Sequence, residues 1–349
     1  PYRLYYYCTQ HSGMGGLVNV PPNFVKGTRA VYISGNEAPG NSQTMDYFNI
    51  ATTGNAAHFG DMTSYGTSEG ASCGCSSTRA VICHDRTGSA SPGANTTSME
   101  QITIASQGNS ANFGNISANG ENSSRAGGSN AIRGLTMGSF NSYPSKVPDT
   151  FATDDILFYS LASEGNTADF GNLTYACYGS ATCTGSSTRM IHCGGSYYGG
   201  SPQTTRARNI IDYMTIASTG NATDFGDLST ARDVRATISN GVRSVMGGGQ
   251  NAPADQGAVS ATKENIMEYV TIASTGNTTD FGDLTVARSQ NGGTSSSTRG
   301  VYIGGRAPGA SNIIDYITIA STGDATDYGD LVTARIDGGS AGNGHGGLQ

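Results

Sequence analysis

The stretch IDYMTIASTGNATDFGDL, residues 211–228, decides the fold because it returns along the whole chain. Near-verbatim copies stand at residues 266–284 and 314–331, and altered copies at 45–62, 99–116 and 156–173. Similarity at a fixed period indicates one structural unit used repeatedly. The sequence therefore predicts a repeat protein with six units.

The repeated stretch has the pattern of short β-strands. Apolar side chains alternate with polar ones over residues 211–218, which are rich in β-branched and aromatic residues. The Thr-Gly-Asn that follows suits a tight turn, and residues 224–228 would make a short outer strand. Glycine, at 51 of 349 residues, is too frequent for long helices. We therefore predict an all-β protein.

Each unit also carries an arginine followed by a short apolar run. Successive arginines are 50, 54, 56, 54 and 56 residues apart, which suits the four short strands of a propeller blade. These repeat arginines are Arg29, Arg79, Arg133, Arg189, Arg243 and Arg299. The predicted blades span about residues 28–70, 71–123, 124–179, 180–232, 233–288 and 289–335, with a closing strand in 336–349.

The two ends of the chain decide how the ring closes. Residues 338–345 have the composition of an innermost strand and would complete the first blade, giving six blades. Residues 13–27 compete for that role, and seven blades with one hybrid blade from both termini is the alternative. We expect residues 1–27 to form an N-terminal segment that closes the ring or attaches the domain. Pro1 leads us to expect a trimmed or processed chain.

The order of features in a unit resembles the kelch repeat from about residue 13 to residue 349. An arginine and an apolar strand lead into Gly-Gly, a variable loop, a third strand with an aromatic, and an outer strand. The chain departs from the kelch pattern because it has no Trp and because blades one to three lack Gly-Gly. The resemblance implies a β-propeller with kelch-like four-stranded blades.

Composition excludes several classes of partner. Charged residues make up 13 % of the chain and the formal net charge is −7, which argues against nucleic acid, whose phosphates need Lys and Arg. No apolar run approaches the roughly 20 residues of a membrane helix. We expect neither nucleic-acid binding nor a membrane span.

Cysteines recur at equal distances from two of the repeat arginines. Cys73 and Cys83 flank Arg79 as Cys183 and Cys193 flank Arg189. Each pair would lie on the first two strands of a blade, where a cross-strand disulfide is one reading. The other is a free, buried thiol that packs as a small hydrophobe. The sequence leaves both readings open, and the spacings are not those of a zinc site.

No constellation indicates catalysis or a metal. Residues used once per blade are structural, so we expect the repeat arginines to tie strands or neighbouring blades through carboxylates or carbonyls. The repeated acids of the third strand are candidate partners: Asp46, Glu100, Asp212, Glu268 and Asp315. The pairs Asp224/Asp227, Asp280/Asp283 and Asp327/Asp330 lack the density of a calcium loop and suit turns. No nucleophile elbow or histidine constellation is present. We expect no enzyme, no metal and no cofactor.

Variation between the units indicates a recognition surface. The segments after the second strand differ in length and composition, whereas the Thr-Gly-Asn turns barely change. In kelch topology the variable segments would emerge on one face, as suits a scaffold that presents binding loops. Five aromatics in two adjacent blades' loops are candidate anchors for a partner or a sugar: Phe140, Tyr143, Phe151, Tyr197 and Tyr198.

The repeats also resemble kelch-like repeats in proteins of marine bacteriophages, including tail-fibre components. That resemblance implies a non-enzymatic virion structural protein, a tail or fibre component whose variable loops face a host-surface receptor, with a glycan as one candidate. It also implies other virion proteins as partners in an oligomeric assembly. The alternatives are a bacterial extracellular adhesin or filament subunit at the cell surface, and, less favoured, a propeller enzyme acting on polysaccharide.

Overall fold

The protein is a six-bladed β-propeller. The computed structural model describes residues 2–7, 15–20, 28–37, 40–63, 71–83, 97–117, 122–141, 152–179, 183–199, 204–251 and 261–344. The regular secondary structure in this part of the chain consists of β-strands. Six antiparallel sheets are arranged in a ring as the blades. The predictions of an all-β fold and of six blades are confirmed.

The four main strands of each blade run from the ring axis outward. Blade one consists of Gly339–Gly342, Arg29–Ile33, Thr44–Asn49 and Ala57–Asp61; blade two of Ser72–Cys75, Arg79–Cys83, Ser98–Thr103 and Ala111–Asn115; blade three of Ala126–Ser129, Arg133–Asn141, Ala152–Ser160 and Ala168–Cys177; blade four of Thr184–Gly185, Arg189–Cys193, Ile210–Thr215 and Thr223–Asp227; blade five of Ala236–Ser239, Arg243–Gly247, Ile266–Thr271 and Thr279–Asp283; and blade six of Gly292–Ser295, Arg299–Ile303, Ile313–Thr318 and Thr326–Asp330. Blade three has a further short strand, Asn122–Ser123, that pairs with the end of its second strand.

The two ends of the propeller meet in blade one. Gly339–Gly342 pairs with Arg29–Ile33 in antiparallel register, from Ala30 opposite Gly342 to Ile33 opposite Gly339. The innermost strand therefore comes from the C-terminal part of the chain, and the seven-bladed alternative is wrong. Residues 13–27 do not supply that strand: Gly15–Val20 pairs with Tyr2–Tyr7 in a separate two-stranded sheet.

The hydrophobic core lies between the blades. Both faces of a blade pack on a neighbour, so successive residues of the second strand, such as Ala80 to Cys83, are all buried. One apolar cluster joins Val31 and Ile33 of blade one to Ile82 of blade two. This explains why the second strands read as short continuous apolar runs rather than as a strict alternation.

A β-bulge in the outermost strand repeats around the ring. Ile211 pairs with Gly226 and Asp212 with Asp224, so Phe225 is an extra residue on the outer strand. Phe225 is buried and contacts Tyr213 edge to face, with ring centroids 6.1 Å apart. The bulge thus turns an aromatic inward on a strand whose preceding residues are exposed.

Candidate binding face

The two faces of the propeller are built differently. One face, here called the turn face, carries the Thr-Gly-Asn turns between third and outermost strands. The other, here called the loop face, carries the variable segments after the second strands and the connections into the innermost strands. Because neighbouring strands are antiparallel, these two groups of connections emerge at opposite ends of the blades.

The turn face is interlocked from blade to blade. In every blade the turn glycine donates its N–H to the carbonyl of the bulged aromatic in the preceding blade, as Gly220 does to Phe170 at 2.7 Å. The next turn residue accepts a hydrogen bond from that outer strand, as Asn221 does from the N–H of Asn172 at 3.0 Å. The equivalent acceptors elsewhere are Asn55, Asn109, Asn166, Asn277 and Asp324. The turns are alike because each one binds the neighbouring blade.

The Asp-x-x-Asp motif belongs to the same interlock. Asp224 and Asp227 lie on the outermost strand Thr223–Asp227, where the intervening Gly226 meets the next turn. A Cβ on Gly226 would come within 2.4 Å of the Gly276 carbonyl oxygen, so the close approach itself requires glycine. The motif therefore forms an outer strand whose glycine contacts the turn of the next blade.

The repeat arginines form a second ring of contacts. Each donates from Nη1 to a backbone carbonyl at the end of the third strand in the following blade, at 2.9 to 3.1 Å, and Arg299 of blade six reaches Ile50 of blade one. Each guanidinium also lies over an aromatic ring of its own blade, at 4.1 Å for Arg243 over Tyr269. Their acceptors are carbonyls, and the repeated acids bind other groups.

A separate set of arginines, which the sequence analysis missed, pairs with those acids. They follow the outermost strand in the Ala-Arg that ends the last three units, and they are fully buried. The pairs join neighbouring blades: Arg232 with Glu268 at 2.7 Å, Arg288 with Asp315 at 2.9 Å, and Arg335 with Asp46. The recurring Ala-Arg was the available signal, because it accompanies an acid in the following unit.

The junction of blades three and four replaces this ion pair. Cys177 stands where the last three units have arginine, and Asp212 accepts from the Thr174 hydroxyl at 2.6 Å. Burial raises the pKa of Asp212, against the lowering effect of the Thr174 hydrogen bonds. The Tyr175 hydroxyl donates to the Gly194 carbonyl at 2.6 Å and lies 3.3 Å from Nδ1 of His192. Burial lowers the pKa of His192 to about 4.

The cysteine geometry favours the free-thiol reading. Cys73 lies opposite Ile82 while Cys83 lies opposite Ser72, so the two thiols are on opposite faces of blade two. They belong to different core clusters. The same separation holds for Cys183 and Cys193 in blade four. All four are free and buried, and the cross-strand disulfides are absent because alternate strand positions face opposite ways.

The loop face carries extra hairpins that differ between blades. Blade four extends into the hairpin Ser196–Gly199 with Thr204–Ala207, and blade five into Gln250–Asn251 with Thr262–Lys263. Blade one has only the short pair Asn36–Glu37 with Gly40–Asn41. These elements are tied to the base of the blades by single bridges such as Asp233 with Gln250.

The five candidate aromatics fall in different places. Phe140 lies on the second strand of blade three and contacts Tyr178 edge to face, with centroids 5.0 Å apart. Tyr197 lies on the blade-four hairpin, and the guanidinium carbon of Arg208 lies over its ring, 4.8 Å from the ring centroid. Tyr198 is on the same strand, and its side chain lies outside the described residues. Tyr143 and Phe151 also lie outside them.

A cavity of about 270 Å³ opens on the loop face next to the innermost strands. We call it the axial mouth; it is lined by Ser124, Phe140, Tyr178, Arg235, Gln290 and Asp337. Arg235 donates to Asp337 at 2.6 Å, and Gln290 donates to the other oxygen of Asp337 at 2.9 Å. Asp233 lies 3.6 Å from Arg235, and burial raises its pKa to about 6 against the opposing charge of Arg235.

Comparison with models of known protein families and with curated proteins finds no match for this chain. The described residues include no helix with the length and apolar character needed to cross a bilayer. The features of the molecule that bear on function are the contrast between the two faces and the axial mouth.

Proposed function

We propose that this chain is a non-enzymatic recognition propeller, a tail or fibre component of a virion that binds a host-surface receptor through its loop face. The observation that carries the proposal is the contrast between the faces. On the turn face every blade uses the same interlocking contacts, whereas the loop-face elements differ in length and pairing from blade to blade. A rigid ring with one free, diverse face suits a scaffold for binding loops.

The buried ion pairs and the repeat arginines have structural roles. Arg232, Arg288 and Arg335 pair with acids of the following blade, and the repeat arginines bond to neighbouring carbonyls. These groups stabilise the ring through contacts between neighbouring blades. The virion setting and the assembly with other virion proteins rest on the resemblance of the repeats to bacteriophage proteins.

The test is a binding assay with the whole chain, fluorescently labelled, on a panel of bacterial cells and on a glycan array. In one variant residues 197–206 of the blade-four hairpin are replaced by a short turn, with Ser196 kept because it bonds to Tyr178. This variant should lose or change its binding while the melting temperature stays the same. The control is Val242→Ser, which changes a residue 67 % exposed in a turn-face loop. It should bind as wild type does.

Three outcomes would overturn the proposal or a part of it. Equal binding by wild type and the hairpin variant would show that the loop face does not bind the receptor. Cleavage of an arrayed glycan by the wild-type chain would replace the non-enzymatic role. Immunogold labelling of bacterial surfaces rather than virus particles would replace the virion setting with an adhesin.

A further inference from the structure

The axial mouth has the composition of a small-ligand site. Its residues come from blade three and its connection to blade four, and from the segments that precede the innermost strands of blades five, six and one. The volume of about 270 Å³ lies just below the range of roughly 300–1,000 Å³ that small-molecule sites occupy. It suits one ring of a ligand rather than an extended peptide.

One wall of the mouth is aromatic. Phe140 and Tyr178 pack edge to face at an interplanar angle of 69°, and both side chains are half-buried. Tyr178 is held in place by two backbone hydrogen bonds with Ser196, both 2.8 Å long. Such a wall offers apolar surface for the C–H face of a ring together with one phenolic hydroxyl.

The rest of the lining is polar and is held in place by hydrogen bonds. Asp337 accepts from both Arg235 and Gln290, so a network across blades five, six and one holds the carboxylate, the amide and the guanidinium in place. Ser124 adds a hydroxyl. Together these groups supply hydrogen-bond donors and acceptors side by side, which a ligand with neighbouring hydroxyl groups can use.

The charge of the mouth selects against anions. Among the described residues that line the mouth, Arg235 and Asp337 carry opposite charges, and Asp233, which lies behind Arg235, adds a second carboxylate. The Arg235 guanidinium is already paired with these carboxylates, so it offers an acidic ligand little attraction in a partly desolvated site.

The backbone around the mouth is held in an uncommon conformation. Four described non-glycine residues have a positive φ, and three of them line this cavity: Ser124 at 57°, Gln290 at 57° and Asp337 at 60°. Such residues carry backbone strain and cluster at ligand sites, where strain accompanies preorganisation. Each of these residues lies just before an innermost strand, and the backbones of three blades thus bring a polar residue to the same cavity.

We infer that the axial mouth binds a single neutral sugar residue of a surface glycan. The ring stacks on Phe140 and Tyr178, and its hydroxyl groups bond to Gln290, Asp337 and Ser124. The inference rests on the proposed recognition function and names the ligand class and the subsite.

The experiment is calorimetric titration of the full chain with galactose, glucose, mannose and N-acetylglucosamine, and in parallel with glucuronic acid and sialic acid. At least one neutral sugar should bind, and the two acidic sugars should bind at least tenfold more weakly. Phe140→Leu keeps an apolar side chain but removes the ring, and it should weaken binding at least tenfold. Gln290→Ala should weaken it about fivefold, which corresponds to one lost hydrogen bond.

The control is Val242→Ser, which changes an exposed residue in a turn-face loop, on the face opposite the mouth. It should bind the sugar as wild type does. Melting temperatures of all variants are measured first, and Gln290→Ala carries the test if Phe140→Leu does not fold.

Failure of the inference and failure of the proposed function give different results. If the mouth variants bind cells and glycans normally while the hairpin variant does not bind, the recognition function stands and the mouth is not the subsite. Tighter binding of an acidic sugar than of every neutral sugar overturns the neutral-sugar assignment. If the wild-type chain binds no cell, glycan or sugar, both proposals fall.

Discussion

At the scale of single residues, the chain uses two kinds of arginine for two different tasks. The repeat arginines, part-buried, bond to carbonyls of the next blade and stack on their own blade's aromatics. Arg232, Arg288 and Arg335 are buried completely and neutralise an acid of the next blade. The second task can be recognised only when each acid is compared with the preceding unit.

Arg243 offers a direct test of the first task. Arg243→Ala removes a hydrogen bond to the Ile319 carbonyl and the stacking on Tyr269, 4.1 Å away. Loss of a charge-assisted hydrogen bond and a cation–π contact should lower the free energy of unfolding by about 2–3 kcal/mol in urea titrations. Arg243→Lys keeps the charge without the planar fork and should lose about half of that. If Arg243→Ala has the same free energy of unfolding as wild type, the contact between Arg243 and the next blade does not stabilise the ring.

His192 should make the protein sensitive to acid. Its pKa is lowered to about 4 because burial disfavours the charged ring, whereas the unfolded chain takes up the proton near pH 6.5. The stability tied to the neutral ring is therefore complete above pH 6.5 and is lost as the pH falls towards 4, by about 3 kcal/mol.

The matched variant is His192→Met, because blade five has Met246 at the equivalent position. We compare urea unfolding of wild type and variant from pH 8 to pH 4. The variant should lose less stability than wild type below pH 6.5 and show the same slope above it. Parallel curves throughout would show that His192 is not buried in its neutral form.

At the scale of elements, the turn between third and outermost strands both ends a hairpin and binds the adjacent blade. The turn glycine and the strand glycine have similar φ values, +157° at Gly220 and +149° at Gly226, but different surroundings. Nothing lies within 4 Å of a Cβ on Gly220, whereas one on Gly226 would clash with the Gly276 backbone.

These two glycines form a matched pair for mutation. Gly220→Ala should carry only the conformational penalty of its φ, of order 1 kcal/mol. Gly226→Ala should lower the free energy of unfolding by at least about 2 kcal/mol more, because the blades have to move apart. Equal effects of the two variants in urea unfolding would mean that the blades do not approach each other here.

The sequence predicts the elements better than their contacts. Strand positions and turns follow from local patterns such as residues 211–228, and the closing strand follows from composition. The bulge at Phe225 and the axial mouth depend on registers and on groups from four blades, which no local pattern contains. The cysteines show the same limit, since one residue of register decides whether Cys73 can reach Cys83.

At the scale of the whole molecule, two rings of contacts run around the propeller: the turn interlock and the repeat arginines. Buried ion pairs also join blades four and five, five and six, and six and one, whereas Asp212 bonds to Thr174 between blades three and four. The C-terminal strand closes the circle in blade one. Stability thus lies in the ring and its turn face, which leaves the loop face free to vary.

Hydrogen exchange of backbone amides tests this division between the faces most directly. The turn amides of Gly54, Gly108, Gly165, Gly220, Gly276 and Gly323 are at the surface of the molecule but donate to the neighbouring blade. We predict that they exchange as slowly as amides of the central strands and much more slowly than those of the hairpin 196–207. If the turn amides exchange as fast as the hairpin amides, the turn face is not interlocked and the account of the two faces is wrong.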